Sequence, residues 1–170
     1  DKIRNIPGAF KKMKEGIKAL RAIEPGMKIT ARSVIHRLNY RRWIPIVEAA
    51  REIGVDQVSF LPADVSSHAF NREVLWSEQK QHEIMLSVDE LSELNETLDA
   101  LLFYLEEKKL QSFVAENAVK LPKIPEYYSA LWGLNPFPFK KCNAPWVSTV
   151  VEADGTVRPC FFHQSIGNIR

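Results

Sequence analysis

Apolar positions along the chain follow a helical period first, then a strand period, and then repeat that order. Phe10, Met13, Ile17 and Leu20 are spaced 3, 4 and 3 residues apart. This spacing predicts an amphipathic helix from about Gly8 to Ala22. Glu24-Pro25-Gly26 ends it and turns the chain. The segment from Lys28 to Ile35 is short and β-branched, which predicts a strand. A second helix is expected from Arg42 to Ile53, closed by Gly54. Pro45 fits only in a first turn, so the helix starts at Arg42 or later. Gln57 to Leu61 reads as the next strand, ended by Pro62. Residues 63–86 are polar and irregular, with one helix expected near Glu73 to Glu83.

Ser87 and Glu90 form a capping box ahead of a long helix. Leu91, Leu94, Leu98, Leu101, Leu102 and Leu105 stripe that helix, with its acids on the other face. A shorter helix is expected over Gln111 to Ala118. Leu121 to Pro125 reads as a connector, and Glu126 to Trp132 as a turn or two of helix. Asn135 to Phe139 is a proline-rich joint. It places a boundary between residues 1–134 and residues 135–170.

Helix, strand, helix, strand with short connections implies parallel strands with helices packed outside them. Ligands of such folds sit at the carboxyl ends of the strands. Here those ends are the loops after Ile35 and Leu61. Two units do not separate a barrel from an open sheet.

The end of the chain changes character. Val147 to Glu152 and Val157 to Phe162 are β-prone runs around Asp154-Gly155, a strong hairpin signal. A two-residue turn there sets Glu152 opposite Val157 and Thr149 opposite Cys160. Cys142 lies seven residues before Thr149. An extended chain would hold the two sulfurs roughly 20 Å apart. Ala144-Pro145 must bend the chain back if they are to share a ligand. Thiolates are the usual ligands of zinc and of iron–sulfur clusters. Spacing alone favours two buried free cysteines. His163 follows Cys160 closely enough to join a zinc site, but no fourth ligand is evident.

Composition narrows the classes. The chain has 170 residues, 45% hydrophobic and 26% charged. That is globular usage. No apolar run approaches the roughly 20 residues of a membrane span, and no secretory leader is visible. Two cysteines are too few for a disulfide scaffold. The net charge of +2 gives no reason to expect a nucleic-acid partner. Charge is uneven, however: residues 1–55 carry 13 basic and 5 acidic side chains. A basic first third suits either solvated helix faces or an anionic ligand. No glycine-rich phosphate loop accompanies it.

Several residues together resemble a known family. Cys142, twelve residues, Gly155, four residues and Cys160 resemble the opening of the SPASM-type extension of radical SAM enzymes. Ala144-Pro145-Trp146, Val157-Arg158-Pro159-Cys160 and Ile166-Gly167-Asn168-Ile169 are similar to the text of that extension. Asp1-Lys2-Ile3-Arg4 with Gly8 and Phe10 resembles the segment after the fourth barrel strand. Residues 28–39 resemble the fifth strand and its loop, and residues 54–60 the lead-in to the sixth. The resemblance is faintest over residues 65–135.

The resemblance implies an α/β fold: the C-terminal half of a partial (β/α)6 barrel, then a β-hairpin of an auxiliary cluster domain. It implies a parent enzyme that splits S-adenosylmethionine with a [4Fe–4S] cluster and acts on a peptide or small-molecule substrate. Cys142 and Cys160 would be ligands of an auxiliary [4Fe–4S] cluster. Arg32 would bind the carboxylate of S-adenosylmethionine, and Leu61 would pack on its adenine. Arg32 and Ser33 alternate along one strand, so only one of them can face the barrel interior. His36 and Arg37, and Asp64, Ser66, Ser67 and His68, stand at the ligand-facing ends of the strands. The family's Cys-x-x-x-Cys-x-x-Cys triad is absent from this sequence, as are the later cysteines of the extension. We therefore expect an excised piece of a cytoplasmic enzyme, inert by itself and prone to self-association through exposed strand edges. The rival is a non-enzymatic interaction module, in which the leucine stripe binds a partner helix and the cysteines hold zinc.

Overall fold

The computed structural model describes residues 6–67, 69, 74–138 and 142–170. The first helix, α1, spans Ala9–Ile23. Strand β1 is Thr30–Ile35. A 3-10 turn at Tyr40–Arg42 leads into α2, Trp43–Glu52. Pro45 therefore falls in the first turn of α2, where its missing N–H leaves no helical bond unmade. Gly54 follows at φ 81°, the left-handed conformation that commonly ends a helix. Strand β2 is Gln57–Pro62, so Pro62 closes the strand from within it.

β1 and β2 pair in parallel, Ala31 with Val58, Arg32 with Ser59, Ser33 with Phe60 and Val34 with Leu61. Side-chain alternation divides this pair into two sides. Ile35, Val58 and Phe60 are buried on the side that the helices cover. The Phe60 ring lies 5.0 Å from that of Trp43 on α2. Thr30, Arg32 and Val34 are exposed on the other side.

Helix α3 is Glu78–Ile84, within and just beyond the range expected for it. One residue of the expected range, Glu73, lies outside the described residues. Before α4, Leu91–Glu107, the Glu90 carboxylate accepts from the Ser87 N–H at 2.9 Å and the Ser87 hydroxyl at 3.1 Å. That is the capping box read from the sequence. Leu91, Leu94, Leu98, Leu101 and Leu105 are all buried. The stripe is spent inside the core, each leucine contributing about 1.5–3 kcal/mol.

The helix expected over Gln111 to Ala118 is absent. Val114 instead makes a parallel bridge to Val58. The Val58 N–H donates to the Phe113 carbonyl at 2.9 Å, and the Ala115 N–H to the Val58 carbonyl at 2.8 Å. A buried strand must pair its outer N–H and C=O groups. That demand outweighs the weak drive of so short a segment to form a helix. The Glu116 carboxylate continues this edge, accepting from the Phe60 N–H at 2.8 Å and the Ser59 hydroxyl at 3.0 Å.

Helix α5, Lys123–Leu131, begins earlier than expected. Pro125 sits in its first turn, not in a connector. Tyr128 of α5 is fully buried. Its hydroxyl accepts from the Ala63 N–H at 2.9 Å and donates to the Ile35 carbonyl. One phenol thus joins the carboxyl ends of β1 and β2. Burial raises its pKa further above the usual phenol value.

The last segment holds α6, Ala144–Val147, and three short strands, β3 Val150–Val151, β4 Thr156–Arg158 and β5 Gly167–Asn168. All pairing is antiparallel, in the order β3-β4-β5. Both expected β runs are therefore shortened, and a third strand closes what the sequence suggested was a bare hairpin. The turn also differs. Val151 faces Val157 and Val150 faces Arg158, so the loop has three residues and the register slips by one. Asp154 accepts from the Thr156 N–H and hydroxyl, both at 2.9 Å, and Gly155 takes φ 89°. A side-chain-bonded turn followed by a left-handed glycine is the geometry of a three-residue loop. The buried core runs from Ile35 to Tyr128. The architecture is mixed α/β, and no barrel closes among the described residues.

Replacing Tyr128 by Phe leaves the packing but unpairs the joint between the strand ends. We expect a loss of about 1–3 kcal/mol in urea unfolding. An unchanged midpoint contradicts this role for the phenol.

Candidate functional site

Strand alternation decides between Arg32 and Ser33. Arg32 stands on the uncovered side with Thr30 and Val34, and Ser33 faces the helices opposite Phe60. Among the described residues the Arg32 side chain makes no hydrogen bond or ion pair. Ser59 is its register partner, and Leu61 is that of Val34. Arg32 and Leu61, the two residues expected to contact a cofactor, therefore share one side of the parallel pair.

Several other basic residues of the first third behave differently. Arg21 meets Asp56 at 2.6 Å, Lys14 meets Glu52 at 2.9 Å and Arg37 meets Glu90 at 3.1 Å. Arg41 grips both oxygens of Glu93, which also accepts from the Tyr40 hydroxyl at 2.8 Å. Burial and this bond push the Tyr40 phenol up to about 12. The Arg41 guanidinium, followed by Tyr40, holds the Glu93 carboxyl below its usual range. Much of the basic charge thus meets acids within the chain. Arg37 also donates to the His82 carbonyl at 3.2 Å.

The loop after β1 is closed by its own side chains. The Asn39 side-chain oxygen accepts from the His36 N–H at 2.8 Å, and its amide donates to the Val34 carbonyl at 2.9 Å. His36 is 6% exposed. Its Nδ1 accepts from the Leu38 N–H at 3.1 Å. Burial lowers its pKa below the ordinary 6.5. After β2, Asp64 accepts from the N–H groups of Ser66 and Ser67 at 3.3 and 3.2 Å, and from the Ser67 hydroxyl. His68 lies outside the described residues. A surface concavity of about 620 Å³, lined by Pro45, Glu48, Ala49, Arg51 and Glu52, lies on α2. Its Glu48 already pairs with Arg51 and accepts from Tyr104.

Comparison with protein-family models, with curated proteins and with solved structures found no match.

The cysteines occupy the small C-terminal unit. Both are free thiols, Cys142 exposed and Cys160 partly buried. The bend demanded of Ala144-Pro145 is there, as α6. The Ser148 hydroxyl then donates to the Pro159 carbonyl at 3.2 Å, which brings the chain between the cysteines back beside Cys160. The His163 N–H donates to the Cys160 carbonyl at 3.1 Å, closing a turn with its imidazole exposed. Among the described residues no three Cys, His, Asp or Glu side chains gather as a metal site. The thiols have the right chemistry for an iron–sulfur cluster, but two do not make up the usual four ligands.

Gly155, between the cysteines in sequence, has a specific reason to be glycine. A Cβ there would stand 2.8 Å from Asn168 Oδ1 and 3.0 Å from Arg170 Cγ. The Ile169 N–H donates to the Gly155 carbonyl at 3.0 Å. The Ile166-Gly167-Asn168-Ile169 text is thus clasped onto the turn. Sequence reasoning did not reach Glu116 or Tyr128. Glu116 was placed in a helix, and no local pattern marks either residue as a partner for strand ends.

Two outcomes follow. Gly155→Ala should raise amide exchange in residues 150–168 about tenfold, given the ~1–2 kcal/mol cost of a left-handed non-glycine. Core amides should stay unchanged, and equal exchange in both regions contradicts the clasp. His36 favours a native state with a neutral ring, so below pH 6.5 the unfolded chain takes up its proton first. Stability should fall as pH drops from 6.5 through the lowered native pKa. His36→Asn, which keeps an acceptor at the Nδ1 position, should flatten that slope. A slope unchanged in the variant contradicts the assignment.

Proposed function

We propose that this chain serves a radical SAM enzyme, as part of its partial (β/α)6 barrel and the opening of a SPASM-type iron–sulfur domain. The observation that carries the reading is the exposed side of β1 in the parallel strand pair. It holds Arg32, with no partner among the described residues, and Leu61 beside Val34. The Cys142, Gly155 and Cys160 pattern, folded around a glycine that admits no side chain, supports it from the other end of the chain.

In this reading the Arg32 guanidinium binds the carboxylate of S-adenosylmethionine through two parallel hydrogen bonds. Leu61 and Val34 offer apolar area to the adenine. Cys142 and Cys160 supply two thiolates to an auxiliary [4Fe–4S] cluster, the remaining ligands coming from elsewhere in the enzyme. When bound, such a cluster supplies one-electron chemistry. The substrate is a peptide or small molecule held over the strand ends, and the setting is cytoplasmic. The chain by itself is catalytically inert. The outer edge of β1 has no strand partner among the described residues, and Phe10, Met13 and Leu20 of α1 are more than 40% exposed. Self-association through this region is part of the proposal. Burial of five of the six stripe leucines favours this reading over the rival interaction module.

The test uses the whole enzyme containing this chain, reconstituted with iron and sulfide under anaerobic conditions. Cys142→Ser and Cys160→Ser should each lower iron content while S-adenosylmethionine cleavage continues. Arg32→Ala should raise the KM for S-adenosylmethionine about 10- to 100-fold, the loss of a charge-assisted contact. Full iron content in both cysteine variants, or zinc in place of iron, contradicts the proposal.

A further inference from the structure

We infer that two copies of this chain pair in antiparallel fashion along the outer edge of β1, with Thr30 of each copy opposite Arg32 of the other. This deepens the self-association in the preceding reading and rests on that part of it. A strand edge is a row of N–H and C=O groups that need partners. Backbone groups of successive residues point to opposite edges of a strand. The Ile29 carbonyl accepts from the Asp56 N–H at 2.8 Å, and the Ile35 carbonyl from the Ala63 N–H at 3.2 Å. Both bonds run toward β2, so Ala31 and Ser33 between them also turn their backbone groups to β2. Thr30, Arg32 and Val34 turn theirs outward.

Most of the two outer edges is already closed. On β2 the outward groups meet Phe113, Ala115 and the Glu116 carboxylate. At the carboxyl end of β1 the Asn39 side chain plays the same part. It donates to the Val34 carbonyl at 2.9 Å and accepts from the His36 N–H at 2.8 Å. Among the described residues nothing meets the outward backbone groups of Thr30 and Arg32, and both residues are exposed. This short open stretch is self-complementary. A closed pair of identical chains is two-fold symmetric, so if Thr30 faces the partner's Arg32, Arg32 faces the partner's Thr30. Each residue then gives its N–H and its C=O to the other, and Ala31 meets the partner's Ala31 on the axis. An axis at Arg32 would set the two guanidinium-bearing residues directly opposite, about 5.5 Å apart, and like charges so placed are destabilising. It would also need the Val34 carbonyl, which Asn39 holds. An axis at Ser33 needs the same carbonyl. An axis at Thr30 sets Arg32 against the partner's Lys28, again like charges. With Ala31 on the axis, no backbone group of Thr30 or Arg32 is left unmet and the two arginines stand on a diagonal. Each copy has one such stretch on β1, so pairing through it stops at two.

The experiment uses the full 170-residue chain. Sedimentation equilibrium should show a monomer–dimer equilibrium. Thr30→Pro removes an outward N–H and leaves the bonds to β2 in place. It should weaken the dimer about ten- to a hundredfold, one neutral hydrogen bond being lost from each copy. The register is read with single cysteines, placed in a Cys142→Ser, Cys160→Ser background and oxidised with glutathione disulfide. Ala31→Cys should give a covalent dimer faster than Arg32→Cys or Ser33→Cys. Fastest cross-linking at Arg32→Cys or Ser33→Cys overturns the inference, as does a dimer that Thr30→Pro leaves at full strength. Both results leave self-association itself standing. A chain that stays monomeric at every concentration overturns the inference and the self-association together. The iron content of the cysteine variants tests the rest of the preceding reading separately.

Discussion

Two parallel strands cannot stand in water alone, and this chain is arranged around covering one side of such a pair. Parallel sheets are stable when buried. Ile35, Val58 and Phe60 provide the side to bury, and α2, α4 and α5 provide the cover. Val114 and Glu116 complete the edge of β2, and Tyr128 holds the two carboxyl ends together. With one side and one edge satisfied, the other side is left to Thr30, Arg32, Val34 and Leu61. The candidate ligand face follows from what the helices do not cover.

Charge obeys the same logic. The basic first third of the sequence looks like an anion-binding surface until the fold brings Asp56, Glu90 and Glu93 against it. Neutralisation by the chain's own acids turns a chemical signal in sequence into a structural one. Arg32 is one of the basic residues that process does not reach, and among them it is the one carried on β1. On β2 the residue opposite Arg32 is Ser59, whose hydroxyl is bonded to the Glu116 carboxylate.

What the sequence made legible depended on how local the cause was. Helix periods, the capping box at Ser87 and Glu90, the placement of Pro45 and the strand alternation at Arg32 are encoded within a few residues. All of them appear in the fold. The segment around Val114 was misread because its structure is set by unpaired groups on β2, more than fifty positions earlier in the chain. The turn at Asp154-Gly155 was misread by one residue, since Asp154 binds Thr156 and draws Gly155 into the loop. β5 escaped notice because a two-residue strand carries no periodicity. Arg32 and Leu61 were legible as residues of two parallel strands, and the register sets them on one side, with Leu61 opposite Val34. Glu116, which ties Ser59 to the edge, was not.

The cysteines stand between these cases. Their spacing around Gly155 was readable, and the clasp of Asn168 and Arg170 on that glycine gives the spacing a physical cause. In the proposed reading they share a cluster whose remaining ligands come from elsewhere in the enzyme. The most direct measurement is therefore the reading frame of the intact gene on both sides of this segment. The account predicts a Cys-x-x-x-Cys-x-x-Cys triad upstream of Asp1 and further cysteines downstream of Arg170. A frame with neither would contradict it, because the two thiolates would then have no cluster to complete.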